Sequence, residues 1–137
     1  MIRLVFALII AIIHLIYILS SIAFPVIIVG YTNVDTKQRL LLWYIVIQSI
    51  VQLHWKLLNN ECFASYLEKK LIYPEYKLGQ CPRDSFAYHI FSMTFNIDPK
   101  ITRMILFKLI QSSFSFSVSY YILLLCHKYI TTIAAPS

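Results

Sequence analysis

Three long apolar runs, divided by short polar stretches, account for most of the sequence. The first occupies residues 4–29, LVFALIIAIIHLIYILSSIAFPVIIV. At 1.5 Å per residue a helix of this length reaches roughly 39 Å, more than the ~30 Å of a bilayer's hydrocarbon core. Pro25 is expected to kink or end it, and GYTN at 30–33 reads as an exit turn. A secretory signal peptide is the competing reading, with Arg3 as its basic start and Ser21-Ile22-Ala23 as a small-x-small cleavage site. The apolar stretch continues past that site to residue 29, so an uncleaved transmembrane helix is expected.

The second run covers 40–58, LLLWYIVIQSIVQLHWKLL. Trp43 and Tyr44 near one end, with Trp55 and Lys56 near the other, match the aromatic and basic belts of a membrane-spanning helix. No Gly or Pro intervenes before Pro74, so the helix has room to continue into water as far as about Leu71. Residues 72–103 form a polar connection. Within it Asp84 is placed to cap a short helix over 85–95 that lies in the interface plane or packs against the other helices.

The third run covers 104–126, with Asp98 as N-cap and Pro99 at the favoured first helical position. His127 and Lys128 suit its C-terminus, and IAAPS reads as a frayed tail. The alternation SFSFSVS at 113–119 imitates a strand, but an open strand in hydrocarbon leaves its backbone groups unpaired, so helix is expected. The predicted fold class is therefore an all-α integral membrane protein: about three transmembrane helices and a short interfacial helix, forming a single membrane domain over 1–137.

Composition agrees. Hydrophobic residues make up 59% of the 137, against roughly 45–50% in ordinary soluble domains. Charged residues are 13%, about half the usual ~25%. Mean hydropathy is +0.70. A soluble chain this short buries too small a fraction of its surface to hide so much apolar area.

The net charge of +6 follows the ends of the apolar runs, which points to lipid headgroups as partners rather than nucleic acid. With three spans, the N-terminus and the 59–103 segment share one side. That side holds eight cations (Arg3, Lys56, Lys69, Lys70, Lys77, Arg83, Lys100 and Arg103), and the other holds three (Lys37, Arg39 and Lys128). The positive-inside rule puts the richer side in the cytoplasm or its equivalent. Cys62 and Cys81 lie close enough in sequence to bridge in an oxidising compartment, and a cytoplasmic loop would keep both as thiols.

Polar residues inside apolar runs require a reason. His14 sits mid-run with no companion ligand in its own helix, and a neutral imidazole bonded to a neighbouring helix is the simpler reading. Gln48 and Gln52 are four apart on one face, the spacing of interhelical glue. On a continuous helix His54, Glu61 and Glu68 would form a stripe seven residues apart, with about 10 Å between successive members. That is too far for one metal ion, so anchoring and partner contact are expected of it. Lys108, Gln111, Ser112, Ser115 and Ser119 share a stripe on the third helix, and Ser113/Ser117 and Ser115/Ser119 have small-xxx-small spacing. Close packing is the first reading of these serines, and a pore lining the second.

The segment HWKLLNNECFASYLEKKL, residues 54–71, with HW, then EC, then LE, resembles a pattern in small multipass membrane proteins of large DNA viruses infecting algae and other protists. The resemblance covers 18 residues of 137 and carries no catalytic motif. It implies a virion or host-membrane component.

No Ser-His-Asp set, P-loop, HExxH or GxSxG is present, and two glycines cannot build a phosphate cradle. No catalytic residue, cofactor or metal is therefore assigned, and an enzyme is not expected. An enzyme would need His14, His54 and Glu61 to meet at one ligand. The sequence leads to a structural or assembly subunit of a larger membrane complex, as a viral membrane or minor capsid component. An accessory subunit of a protist mitochondrial respiratory complex, in the inner membrane, and a small viroporin-like channel are the alternatives.

Overall fold

The computed structural model describes residues 2–30, 33–58, 61–78 and 85–134. These form five helices and no strand: α1 (Ile2–Val29), α2 (Val34–Leu57), α3 (Phe63–Ile72), α4 (Phe86–Phe95) and α5 (Pro99–Ala134). Three of them, α1, α2 and α5, are long and apolar enough to cross a membrane. Pro25 does not end α1, which runs on to Val29.

α2 begins six residues before the apolar run that marks it in sequence. The side chain of Asn33 accepts from the Thr36 backbone N–H at 3.0 Å, closing the first turn in a polar segment that hydropathy passes over.

A continuous helix from 40 to about 71 is not found. α2 stops at Leu57, Cys62 takes an extended conformation, and α3 starts afresh at Phe63. α4 fills the expected position of the short helix, with Ser85 at its N-cap. The expected Asp84 cap lies outside the described residues. Asn96 closes α4 in the left-handed region (φ 52°), a conformation Asn tolerates at helix ends. Asp98 Oδ1 then accepts from the Lys100 N–H at 2.7 Å and Pro99 opens α5. α5 reaches Ala134, eight residues beyond the apolar run, so part of the expected tail is helical.

α1 is the hub, packing against each of the other four helices. Its buried residues are Ala7, Ala11, His14, Ile18, Ser21, Pro25 and Ile28, alternating four and three apart along one seam. Most of these are small or polar. The large side chains of α1, including Ile2, Leu4, Val5, Phe6, Ile13, Ile16 and Val26, are exposed. This distribution inverts that of a water-soluble helix. It suits a setting in which lipid is as apolar as leucine and close backbone approach, not burial of oil from water, joins helices. A small apolar core of Ile18, Trp55, Leu106 and Ile110 ties α1, α2 and α5 together, with Tyr88 and Phe91 of α4 against it.

Candidate functional site

The polar residues fall into four settings. The first is a seam between α1 and α2. Pro25 has no N–H, so the carbonyl four residues earlier, that of Ser21, loses its helical donor. Tyr44 of α2 donates its hydroxyl to that carbonyl at 2.6 Å. Gln48, one turn on, donates from Nε2 to Ser21 Oγ at 2.8 Å and accepts from the Tyr17 hydroxyl at 3.0 Å. From the third long helix, Ser113 Oγ donates to the Ile22 carbonyl at 3.4 Å. Gln48 therefore bridges α1 and α2. Gln52 does not, because its Nε2 is shielded from solvent with no hydrogen-bond partner.

The second setting surrounds His14, which is 2% exposed and midway along α1. Ser65 Oγ of α3 lies 3.4 Å from His14 Nδ1, and the Tyr88 ring of α4 meets the imidazole edge-on at 5.9 Å. His14 thus contacts neighbouring helices, as expected of a lone intrahelical histidine. Ser65 comes from a segment that the sequence sends into water. α3 instead lies against α1, where Ala7 and Ala11 on the His14 seam permit close approach.

The third setting is a polar knot within 61–76. Lys69 Nζ pairs with Glu61 Oε1 at 2.8 Å, and both side chains are about nine-tenths buried. The Tyr76 hydroxyl donates to the same carboxylate at 2.9 Å, and Lys69 Nζ lies 5.2 Å from the Tyr76 ring centroid. Lys70 Nζ donates to the Tyr76 carbonyl at 3.0 Å.

The expected His54–Glu61–Glu68 stripe is accordingly absent. The break after Leu57 separates His54 from the other two. His54 meets the Phe63 ring edge-on at 6.0 Å, Glu61 belongs to the knot, and Glu68 is buried on α3 at 1% exposure. Among the described residues no group of three or more His, Cys, Asp or Glu gathers to hold a metal ion. Cys62 and Cys126 carry free thiols, and Cys81 lies outside the described residues.

The fourth setting is α5, whose two serine pairs part company. Two residues turn a helix by about 200°, so the pairs of the SFSFSVS segment lie on opposite faces. Ser113 and Ser117 face the bundle. Ser117 is 0% exposed and returns its hydroxyl to the Ser113 carbonyl at 2.7 Å. Thr102, Leu106 and Ile110 continue this inner face. Lys108, Gln111, Ser112, Ser115 and Ser119 are all exposed on the outer face, where no other helix among the described residues covers them. This outward polar stripe in a long apolar helix is the candidate functional surface.

The sequence assigns no interhelical or knot contact to Tyr17, Ser21, Tyr44, Ser65, Lys69 or Tyr76. Only one of these carries a signal: Pro25 marks the Ser21 carbonyl as needing an outside donor. No protein-family model, curated protein or solved structure matches the chain.

Proposed function

We propose that the protein is an integral membrane subunit with a structural or assembly role, joining a larger complex through the outer face of α5. The outward stripe of Lys108, Gln111, Ser112, Ser115 and Ser119 carries this reading. In a bilayer, intramembrane polar residues face protein or water, and Lys108, near the start of the apolar run, can also snorkel toward the interface. The serines allow a partner helix to come close, and Lys108 and Gln111 offer it hydrogen bonds. The α1–α2 seam is bonded through Tyr44, Gln48 and Ser113 with no contribution from the stripe.

The resemblance over 54–71 makes a virion inner membrane or host membrane our preferred location and a minor capsid or viral membrane component our preferred role. A mitochondrial inner-membrane complex has the same physical requirements. The charge asymmetry orients the N-terminus and the 59–103 segment toward the cytoplasmic-equivalent side. A channel is the second reading, favoured because the same stripe would line water if copies of α5 faced a common axis.

Gentle detergent extraction of the source membrane or particle, followed by sizing and identification of co-migrating chains, tests this. Migration within a large assembly of fixed stoichiometry is expected. A lone small oligomer that conducts ions in planar bilayers would replace the assembly role with the channel.

A further inference from the structure

At the far end of the bundle from the Glu61 knot, the first turns of α2 and the last turns of α5 enclose an open groove of about 310 Å³. Its lining is Asp35, Gln38, Arg39, Leu42, Tyr121 and Lys128. We propose that this groove binds the phosphodiester headgroup of an anionic membrane phospholipid. The inference rests on the membrane location proposed above but not on the assembly role.

Three observations lead to it. The first is charge. Lys128 Nζ is held by Asp35 Oδ1 at 3.0 Å, and Arg39 has no ion-pair or hydrogen-bond partner among the described residues. The lining therefore keeps one net positive charge, which matches the single negative charge of a phosphodiester. A zwitterionic headgroup brings its own cation and leaves that charge unbalanced. Arg39 also presents a planar fork suited to two phosphate oxygens.

The second is an unmet donor. Gln38 Nε2 is shielded from solvent and has no hydrogen-bond partner among the described residues, and Gln38 lines the groove. A buried amide left unpaired costs about 1–3 kcal/mol, and turning this side chain into the groove would let it donate to a phosphate oxygen there.

The third is depth. Trp43, 66% exposed, follows Leu42 by one residue, and indole rings collect at the headgroup level of a bilayer. Leu42, about one turn further along α2 than Gln38 and Arg39, adds an apolar side chain to the lining.

Insertion is established first, by resistance of the membrane-bound full-length protein to alkaline carbonate extraction; its release would fail the membrane location itself. Native mass spectrometry of the detergent-solubilised protein then measures retention of phosphatidylglycerol, phosphatidylcholine and inorganic phosphate at equal concentration. Phosphatidylglycerol is expected to be retained over the other two. R39Q is expected to lower that retention about fivefold, as loss of one basic side chain near an anionic surface implies. Q38L is expected to lower it as well, and K100Q, at the other end of α5, to leave it unchanged. Wild-type retention in both R39Q and Q38L would overturn the site. So would equal loss in K100Q, which signals general charge attraction. Equal retention of phosphatidylcholine would remove the anionic selectivity, and displacement of the lipid by inorganic phosphate would assign the groove to a soluble anion instead.

Discussion

The hydroxyl of Tyr44 donates at 2.6 Å to the Ser21 carbonyl, the one backbone acceptor of α1 that Pro25 deprives of its helical donor. A proline inside a membrane-length helix is tolerated where a neighbouring element replaces the missing bond. Here a residue 23 positions away in sequence does so. The bond joins α1 to α2 and meets a backbone need in α1 at the same time.

The Tyr44 bond is expected to matter only while Pro25 is present. Y44F should destabilise the protein by about 1.5 kcal/mol, near the upper end of interhelical hydrogen bonds in membranes. In a P25A background the backbone regains an N–H at this position to donate to the Ser21 carbonyl, and the same change should cost about 0.5 kcal/mol or less. A double-mutant cycle by denaturing-detergent titration measures the difference. Equal costs in both backgrounds would show that the tyrosine is not replacing the proline's missing donor.

The two glutamines of α2 should behave differently despite their shared face. Q48L removes bonds to both Tyr17 and Ser21 and is expected to cost about 1 kcal/mol. Q52L removes an amide whose Nε2 is shielded and unbonded, so it should be neutral or slightly stabilising. The same unfolding titration ranks them, and a larger loss for Q52L would contradict the assigned contacts.

The Glu61–Lys69 pair should be far more sensitive to removal of one member than of both. K69M leaves a mostly buried carboxylate short of its cation and is expected to cost roughly 3 kcal/mol. The E61Q/K69M double variant should recover at least half of that, because no uncompensated charge remains. Protease cleavage within 61–76, read alongside global unfolding, localises the effect to the knot.

Two serines two residues apart on α5 should have opposite phenotypes. S117L forces a large side chain into a position with 0% exposure and is expected to destabilise the isolated protein by about 1–3 kcal/mol. S115L lies on the outer face and should leave isolated stability within about 0.5 kcal/mol while weakening association with partner chains. Thermal unfolding and co-migration, measured on the same two variants, separate folding from assembly. Loss of stability without loss of association in S115L would remove the outer face from the proposed role.

The all-helical class and the three long apolar helices were legible in the sequence, because hydropathy over twenty residues depends on composition and not on neighbours. So were local signals such as the start of α5 at Asp98 and Pro99, where cap and ring act within one turn. The end of α2 at Leu57 was not, since no Gly or Pro marks the break. The continuous helix that the sequence allowed created a His54–Glu61–Glu68 stripe that does not exist. Packing between helices, invisible to local pattern, set α3 on α1 with Ser65 beside His14, where the sequence sends that segment into water. Packing also chose which serine pair of α5 faces inward. Helical periodicity dictates that Ser113/Ser117 and Ser115/Ser119 point apart, but not which pair meets the other helices. Packing of Leu106 and Ile110 into the core and the Ser113–Ile22 bond put the first pair inward and leave Lys108, Gln111, Ser115 and Ser119 facing outward.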